Sequence, residues 1–564
     1  MAAPQATTPP PERHKLNASG ARLRLSDPLG HEANRLHRLS PKCRCCNRFT
    51  STTVGRHQCK APTAAPSPKQ LRPDRRNGGM LCLGYTTMRG PTLVDGPLFP
   101  RSWLRNGLLL TKGTELIKSA LSQASRQQTP LTMGTRKVQV AVIGAGAAGL
   151  CAARHILAQP DVFAAPMVFE SSDRVGGTWV YSEKTGTSDG GLPIHSSMYR
   201  HLKTNLPKEI MAYPDHPFPP NLPSFLHHTQ VLAYLEGYAD HFKVKEHIQF
   251  RTLVEHVIPA PRPEGETDGV MAWEVTVRSL GARGGRVTHQ FDAIMVCSGH
   301  FFDPFIPALP GVENFQGLIL HSHAYRCPEP FTDKTVVVLG AGPSGVDIAL
   351  EICTVAKQVI LSHRNTLLKC PLPTNLQQAP AVQDFSPNCV CFQDGSLQQA
   401  DAFIFCTGYN YRFPFLMQQT GLQAGGVSLP PLYKHLIHPD LPNLFFIGLC
   451  TTVCPFILFD CQVRYCLAVL AGSCRLPSQE VMAAEVDHEY QHYLAAGKPP
   501  KYFLKLDSLQ EGYFRLLAEE GGFHPIPPVI LKVYRALKTF RTADLLHYRS
   551  INLRLLSDEE WERV

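Results

Sequence analysis

Two copies of one local pattern constrain this chain more than any other feature. "VQVAVIGAGAAGLCAARHIL", beginning at Val138, runs an apolar strand into Gly-x-Gly-x-x-Gly at Gly144, Gly146 and Gly149 and then into a helical period. "KTVVVLGAGPSGVDIALEI" repeats the pattern 196 residues later, with Gly340, Gly342 and Gly345. The three glycines serve a tight turn, close backbone approach to a pyrophosphate, and close helix–strand packing. The helix behind each turn offers free N–H groups and the positive end of its dipole to phosphates. Candidate contacts at the first turn are Gly144, Ala145, Gly146, Ala147, Ala148 and Gly149; at the second they are Gly340, Gly342, Pro343, Ser344 and Gly345.

The next strand of each copy ends differently. "APMVFE" ends at Glu170, whose carboxylate can accept hydrogen bonds from both ribose hydroxyls of an adenosine. "KQVILSHRN" carries no acid and reaches Arg364, which favours a ribose 2′-phosphate and hence NADPH. The competing reading, a solvated Arg364 beside an NAD site, stays open. After Glu170, "SSDRVGGTWVYSE" supplies Arg174, Gly177, Thr178 and Trp179, which resembles the continuation of the fingerprint in flavoproteins that hold FAD. Trp179 stands where disulfide reductases of that broad class place a redox cysteine, so thiol–disulfide chemistry is disfavoured. Cys461 and Cys466 do not restore it: they lie five apart on an expected helix and point in different directions.

An internal echo sets the boundaries. "FDAIMVCSGHF" (291–301) and "ADAFIFCTGYN" (400–410) share one pattern, each reading as the closing strand of a nucleotide-binding unit. The expected fold class is α/β, with two dinucleotide-binding, Rossmann-type domains. The NADPH domain (304–404) is inserted into an FAD domain made of 134–303 and 405–540, and 541–564 follow as a C-terminal tail. "FQGLILHSHAYR" (315–326) lies at the joint, and its two histidines look at first like half a metal site. No cysteine or carboxylate stands at ligand spacing, so no metal is proposed there.

Two glycine fingerprints, with F-x-G-x-x-x-H-x-x-x-Y (Phe315, Gly317, His321, Tyr325) before the second, resemble the flavin-containing monooxygenases, the class B FAD/NADPH enzymes. The likeness covers about 134–540. "CPFILFDCQVRY" and "FCTGYNYRFPFL" are most like the plant glucosinolate S-oxygenase group and its animal relatives. Baeyer–Villiger relatives typically end the linker motif in Trp, where this chain has Tyr325. The resemblance implies that His321 and Tyr325 hold the linker against bound NADP and couple the domains, while Phe315 packs. It also singles out Thr204 and Asn205 in "HLKTNLPKEIMAYPDHPFP" as lying beside flavin and nicotinamide, with Asn205 the catalytic residue. An amide offers a donor and an acceptor that do not change with pH, which suits holding a flavin C4a-hydroperoxide without protonating it. The implied activity is transfer of one oxygen atom of O2 to a thioether sulfur or an amine nitrogen of a small molecule. The alternatives are a Baeyer–Villiger-type enzyme, an uncoupled NADPH oxidase of the same fold, or a non-catalytic nucleotide-binding protein.

Charge separates the leader from the body. Residues 1–132 carry 21 Lys/Arg against 6 Asp/Glu, whereas the remaining 432 carry 35 against 40. The basic character therefore belongs to a Pro-, Ala- and Arg-rich leader with no sustained period, and a nucleic-acid partner loses its support. This leader reads as an upstream extension before Met133 or as an organelle transit segment. The location is accordingly cytoplasmic, or mitochondrial if the segment is a true transit peptide. Within it Cys43, Cys45, Cys46, His57 and Cys59 cluster, but the H-x-C spacing departs from common zinc fingers. "LFFIGLCTTVCPFILF" is too short and too interrupted for a membrane span, which needs about 20 residues. No membrane anchor is expected, and a homodimer is left open.

Overall fold

The computed structural model describes residues 136–564, apart from 189–190, 261–270, 282–283, 365–366, 417–421 and 423–425. The leader, its cysteine cluster and the weak helical pattern near 104–123 lie outside the described residues.

Runs of Val, Ile and Ala become central parallel strands because both faces of each sheet are covered, one by helices and the other by an antiparallel meander. β1 (Val140–Ile143) is buried at every position and feeds α1 (Ala147–Leu157). β2 (Met167–Phe169) and β3 (Ile248–Gln249) follow in parallel on one side, with α2 (His228–His241) between them in sequence. The chain then makes an antiparallel meander of β4 (Thr252–Ala260), β5 (Ala272–Ser279) and β6 (Arg286–Phe291). It returns as β7 (Ala293–Val296), parallel to β1 on its other side.

β8 (Asp303–Pro304) leaves this sheet, and a second one begins with β9 (Leu318–His321). β10 (Thr335–Leu339), α3 (Pro343–Ile352), β11 (Gln358–Ser362) and β12 (Leu376–Ala379) repeat the first plan. A second meander, β13 (Val382–Ser386), β14 (Cys389–Phe392) and β15 (Leu397–Gln399), again precedes the closing strand, β16 (Ala402–Phe405). All five strands of this sheet run parallel, in the order β12–β11–β10–β16–β9. β17 (Tyr409–Asn410) then pairs antiparallel with β8, so the outgoing and returning chains form one short ribbon.

β18 (Ile437–His438) and β19 (Leu441–Phe446) complete the first sheet, whose order is β18–β19–β7–β1–β2–β3. α4 (Pro455–Leu470) packs on α1, and α6 (Gln510–Gly521) packs on α4, with α5 (Gln479–Ala495) between them in sequence. Tyr213 stacks on Phe456 at 5.0 Å between ring centroids, tying the 204–218 loop region to α4. No helix among the described residues is long and apolar enough to cross a membrane.

In the linker motif β9 is an edge strand, paired with β16 from Leu318 to His321. The C-terminal segment is folded. α7 (Pro528–Ala543) leads to a hairpin of β20 (Leu553–Leu555) and β21 (Trp561–Arg563), and Leu545 and Tyr548 are buried in the core around α3.

Candidate functional site

Each glycine turn is closed by backbone and not by side chains. Gly144 has φ +104°, and a Cβ there would lie 2.7 Å from the Cys297 carbonyl oxygen, just past β7. At Gly149 an added Cβ would collide with the Gly144 carbonyl, so α1 could not reach β1. The second copy behaves alike: Gly340 has φ +111° and abuts the Cys406 carbonyl after β16, while a Cβ on Gly345 would strike Gly340. The middle glycines differ from these. Gly342 is exposed and has nothing within 4 Å of an added Cβ, and at Gly146 that Cβ would meet only Gly177, at 3.5 Å. Both helices start at such a glycine without a side-chain cap. The orphan N–H groups of a helix start are therefore left for another acceptor.

Glu170 follows β2 and is nearly buried, 9% exposed. Its Oε2 accepts from the Ala145 N–H and its Oε1 from the Ser172 N–H, both at 2.8 Å. The carboxylate is thus aimed at the first turn before any ligand arrives. Ala145, Ala147, Ala148 and Gly149 are buried behind it. Gly176 has φ +119° and donates its N–H to the Ala145 carbonyl at 3.1 Å, stacking the Gly-Gly turn on the first fingerprint. Gly177, Thr178 and Trp179 form a half-buried 3-10 turn. Arg174 is exposed and lies 3.8 Å from Asp173. Ser298 lies against the same turn, and its Oγ is buried with no partner among the described residues. The sequence signal for Ser298 was present in the C-(S/T)-G echo, but its orphaned hydroxyl is visible only in three dimensions.

These features fit a dinucleotide: an uncapped helix start, a carboxylate at the strand end, an open middle glycine and an unpaired hydroxyl. At the second site Gly342, Pro343 and Ser344 are exposed around the turn, and Arg364 is exposed two residues past β11. His363, beside it, is buried and hydrogen-bonds Gln378 Oε1 at 3.1 Å, leaving its Nδ1 unpartnered.

Thr204 and Asn205 divide their tasks. Thr204 is buried, accepts from the Leu226 N–H on its Oγ1 (3.0 Å) and donates its own N–H to the Leu226 carbonyl (2.8 Å). Asn205 next to it is exposed, and its amide has no partner among the described residues. A clamped residue thus presents a free amide, a donor and an acceptor together.

The linker residues are inside the joint. His321 is buried; its Nδ1 accepts from the His323 N–H (3.1 Å), so Nε2 carries the proton and donates to the Gly408 carbonyl (3.0 Å). Burial holds its pKa down at about 4. Tyr325 is 2% exposed and donates its hydroxyl to Glu351 Oε2 at 3.0 Å, with Tyr199 and Phe331 against its ring. Phe315 packs on Phe385. Both polar ends of the motif are consumed by protein partners.

Among the described residues one trio brings ligand-type atoms together, Cys151, His155 and Asp460, all within 4.8 Å of one another. Asp460 is already engaged by His155 at 2.7 Å and by Arg464 at 3.4 Å. Burial pushes the Cys151 thiol well up, the direction opposite to a metal-binding thiolate.

Two sheets, one parallel throughout and the other parallel except for β18 at its edge, each with a glycine turn at the carboxyl end of a central strand, define a protein with two Rossmann-type domains. The family model for flavin-binding monooxygenase-like proteins matches residues 137–369 and 366–520, and the chain belongs to that family. It is 38% identical over 403 residues to flavin-containing monooxygenase FMO GS-OX4 of Arabidopsis thaliana, covering 68% of this chain and 84% of that one. It is 31% identical to senecionine N-oxygenase of Tyria jacobaeae, covering 79% and 94%. Among solved structures, S-allyl-L-cysteine S-oxygenase from Allium sativum superposes with a TM-score of 0.67 at 32% identity, covering 76% and 96%.

Proposed function

We propose that this chain is an FAD- and NADPH-dependent monooxygenase that places one oxygen atom of O2 on the nucleophilic sulfur or nitrogen of a small molecule. The observation that carries the reading is the asymmetry between two otherwise matched turns. The first strand pair ends in a carboxylate aimed at its turn, and the second ends in an exposed arginine. FAD is assigned to 134–303 with 405–540, and NADPH to 304–404. A similar solved structure named as an S-oxygenase and a relative named as an N-oxygenase support the substrate class.

Bound FAD, once reduced by NADPH, supplies the activation of dioxygen. The protein's own residues bind, orient and shield. Glu170 receives the adenosine ribose, Gly146 and the α1 N–H groups receive the pyrophosphate, and Arg174, Gly177, Thr178 and Trp179 border the rest of FAD. Gly340, Gly342, Pro343, Ser344, Gly345 and Arg364 hold NADPH. Thr204 fixes the loop, and Asn205 offers its amide to the reacting region, where a group that cannot donate an acidic proton is required. His321 and Tyr325 act through the joint by positioning β9 and α3.

The test is NADPH consumption with a panel of thioethers and tertiary amines, with sulfoxide and N-oxide analysis, on the wild type and Asn205→Ala. The expected result is oxygenated product from the wild type and continued NADPH use by the variant, with hydrogen peroxide replacing product. A wild type that oxygenates no member of the panel would overturn the activity; full coupling in the variant would remove Asn205 from it.

A further inference from the structure

The segment after α7 lies outside the family-model match, which ends at residue 520, yet one of its side chains reaches both halves of the candidate site. Arg549 Nε donates to the Thr204 carbonyl at 2.9 Å, and its Nη2 donates to Asp347 Oδ2 at 2.6 Å. Thr204 immediately precedes Asn205. Asp347 lies on α3, whose first turn is the Gly342–Pro343 start of the second fingerprint. Both partners are largely buried, with side chains 20% and 15% exposed for Arg549 and Asp347. Asp347 also accepts from the Tyr199 hydroxyl at 3.3 Å.

The base of this clamp is rigid. The Arg549 guanidinium lies 4.9 Å from the centroid of the Tyr548 ring, and Tyr548 is itself buried edge-on against Phe225 at 5.4 Å. Phe225 precedes Leu226, the residue that pins Thr204 through two hydrogen bonds. A planar guanidinium can bond a carbonyl and a carboxylate at once in fixed geometry; an ammonium on a flexible stem cannot reproduce that pair.

We infer that Arg549 is a positioning residue: it fixes the Asn205-bearing loop relative to the NADPH-domain helix α3, through Asp347, so that amide and nicotinamide nucleotide keep one register. The inference rests on the functional reading above for its consequence, but the clamp itself does not. Loss of the clamp leaves both glycine turns and Glu170 intact, so FAD and NADPH still bind. What changes is the placement of Asn205 against the nucleotide held by α3, and with it the partition between product and peroxide.

The experiment compares wild type with Arg549→Lys, Arg549→Gln and Asp347→Asn, using Arg554→Gln as a control on the same segment. Among the described residues Arg554 pairs with the half-exposed Glu562, at 3.2 Å. Two readouts are taken: amide hydrogen exchange across 202–206 without added nucleotide, and hydrogen peroxide formed per NADPH with a thioether present. Arg549→Gln and Asp347→Asn are expected to raise exchange in that segment about tenfold and to raise peroxide per NADPH about threefold or more. FAD content should remain near wild type, and the melting temperature should fall by a few degrees, because the remaining partner of a largely buried ion pair is left uncompensated. Arg549→Lys should fall between, and Arg554→Gln should match wild type. Unchanged exchange in both Arg549 variants overturns the clamp. So does a variant that loses FAD or unfolds, because Arg549 would then serve general stability. A wild type that makes no product removes the oxygenase reading while the exchange result still decides the clamp.

Discussion

Replacing Gly342 by alanine separates the protein's own needs from those of a bound nucleotide. The residue starts α3 with φ −73° and ψ −178°, extended backbone that alanine adopts freely, and an added Cβ meets no atom within 4 Å. Alanine serves less well than glycine at a helix N-cap, by roughly 0.5–1 kcal/mol. It also lowers the entropy of the unfolded chain, which returns about 0.4–1 kcal/mol. The two nearly cancel, so the melting temperature should stay within about 4 °C. A pyrophosphate drawn against that backbone would meet the new methyl, an overpacking contact worth about 1–3 kcal/mol. That corresponds to about 5- to 150-fold weaker NADP⁺ binding, at 1.4 kcal/mol per decade. The assay pairs a thermal melt with calorimetric titration of NADP⁺ into the FAD-loaded protein. Gly345→Ala is the contrast: its Cβ would collide with the Gly340 carbonyl, so it should lose stability whether or not nucleotide is present. If Gly342→Ala binds NADP⁺ as tightly as wild type, the second turn does not cradle a phosphate and the argument from open middle glycines fails.

Arg364→Ala should weaken NADPH far more than NADH, by about tenfold or more for loss of a charge-assisted contact to the 2′-phosphate; steady-state KM values for both nucleotides check this, and equal losses refute the assignment. His321 gives a pH prediction. Its pKa is held at about 4 by burial, below the ordinary histidine value of about 6.5, so the unfolded chain binds its proton first. Stability is therefore complete above about pH 6.5 and lost as pH falls toward 4, by about 2 kcal/mol at pH 5 from this residue. Urea unfolding of His321→Gln should show a shallower decline between pH 7 and 5; parallel slopes in variant and wild type would refute it.

Much of this architecture was legible in the chain itself, for a local reason. Each fingerprint packs strand, turn and helix into about 20 consecutive residues, and the chemistry of every glycine there depends on neighbours close in sequence. Gly144, Gly149, Gly340 and Gly345 sit where that logic requires, and Glu170 meets Ala145 across a short span. What the sequence concealed depends on distant partners. "LIL" in the linker becomes an edge strand only because β16, some 80 residues on, pairs with it; Leu318 and Ile319 are then 43% and 38% exposed, which obscures any period. Arg549 carries no local motif, and its contacts lie 345 and 202 residues away. Tyr325 was legible as a motif position but not as a buried donor to Glu351, because a spacing pattern does not reveal which way a hydroxyl points.

The ribbon formed by β8 and β17 has a further consequence. Asp303–Pro304 and Tyr409–Asn410 lie side by side in one antiparallel ladder, so the chain departs and returns at neighbouring points, about 5 Å apart at each pair. The intervening hundred or so residues leave and rejoin the rest of the chain at one ribbon but are not held by it alone: the core around α3 includes Leu545 and Tyr548, and Arg549 holds Asp347. A short turn across the ribbon would keep the strand order of the first sheet, yet it would strip the apolar cover from Leu545 and Tyr548.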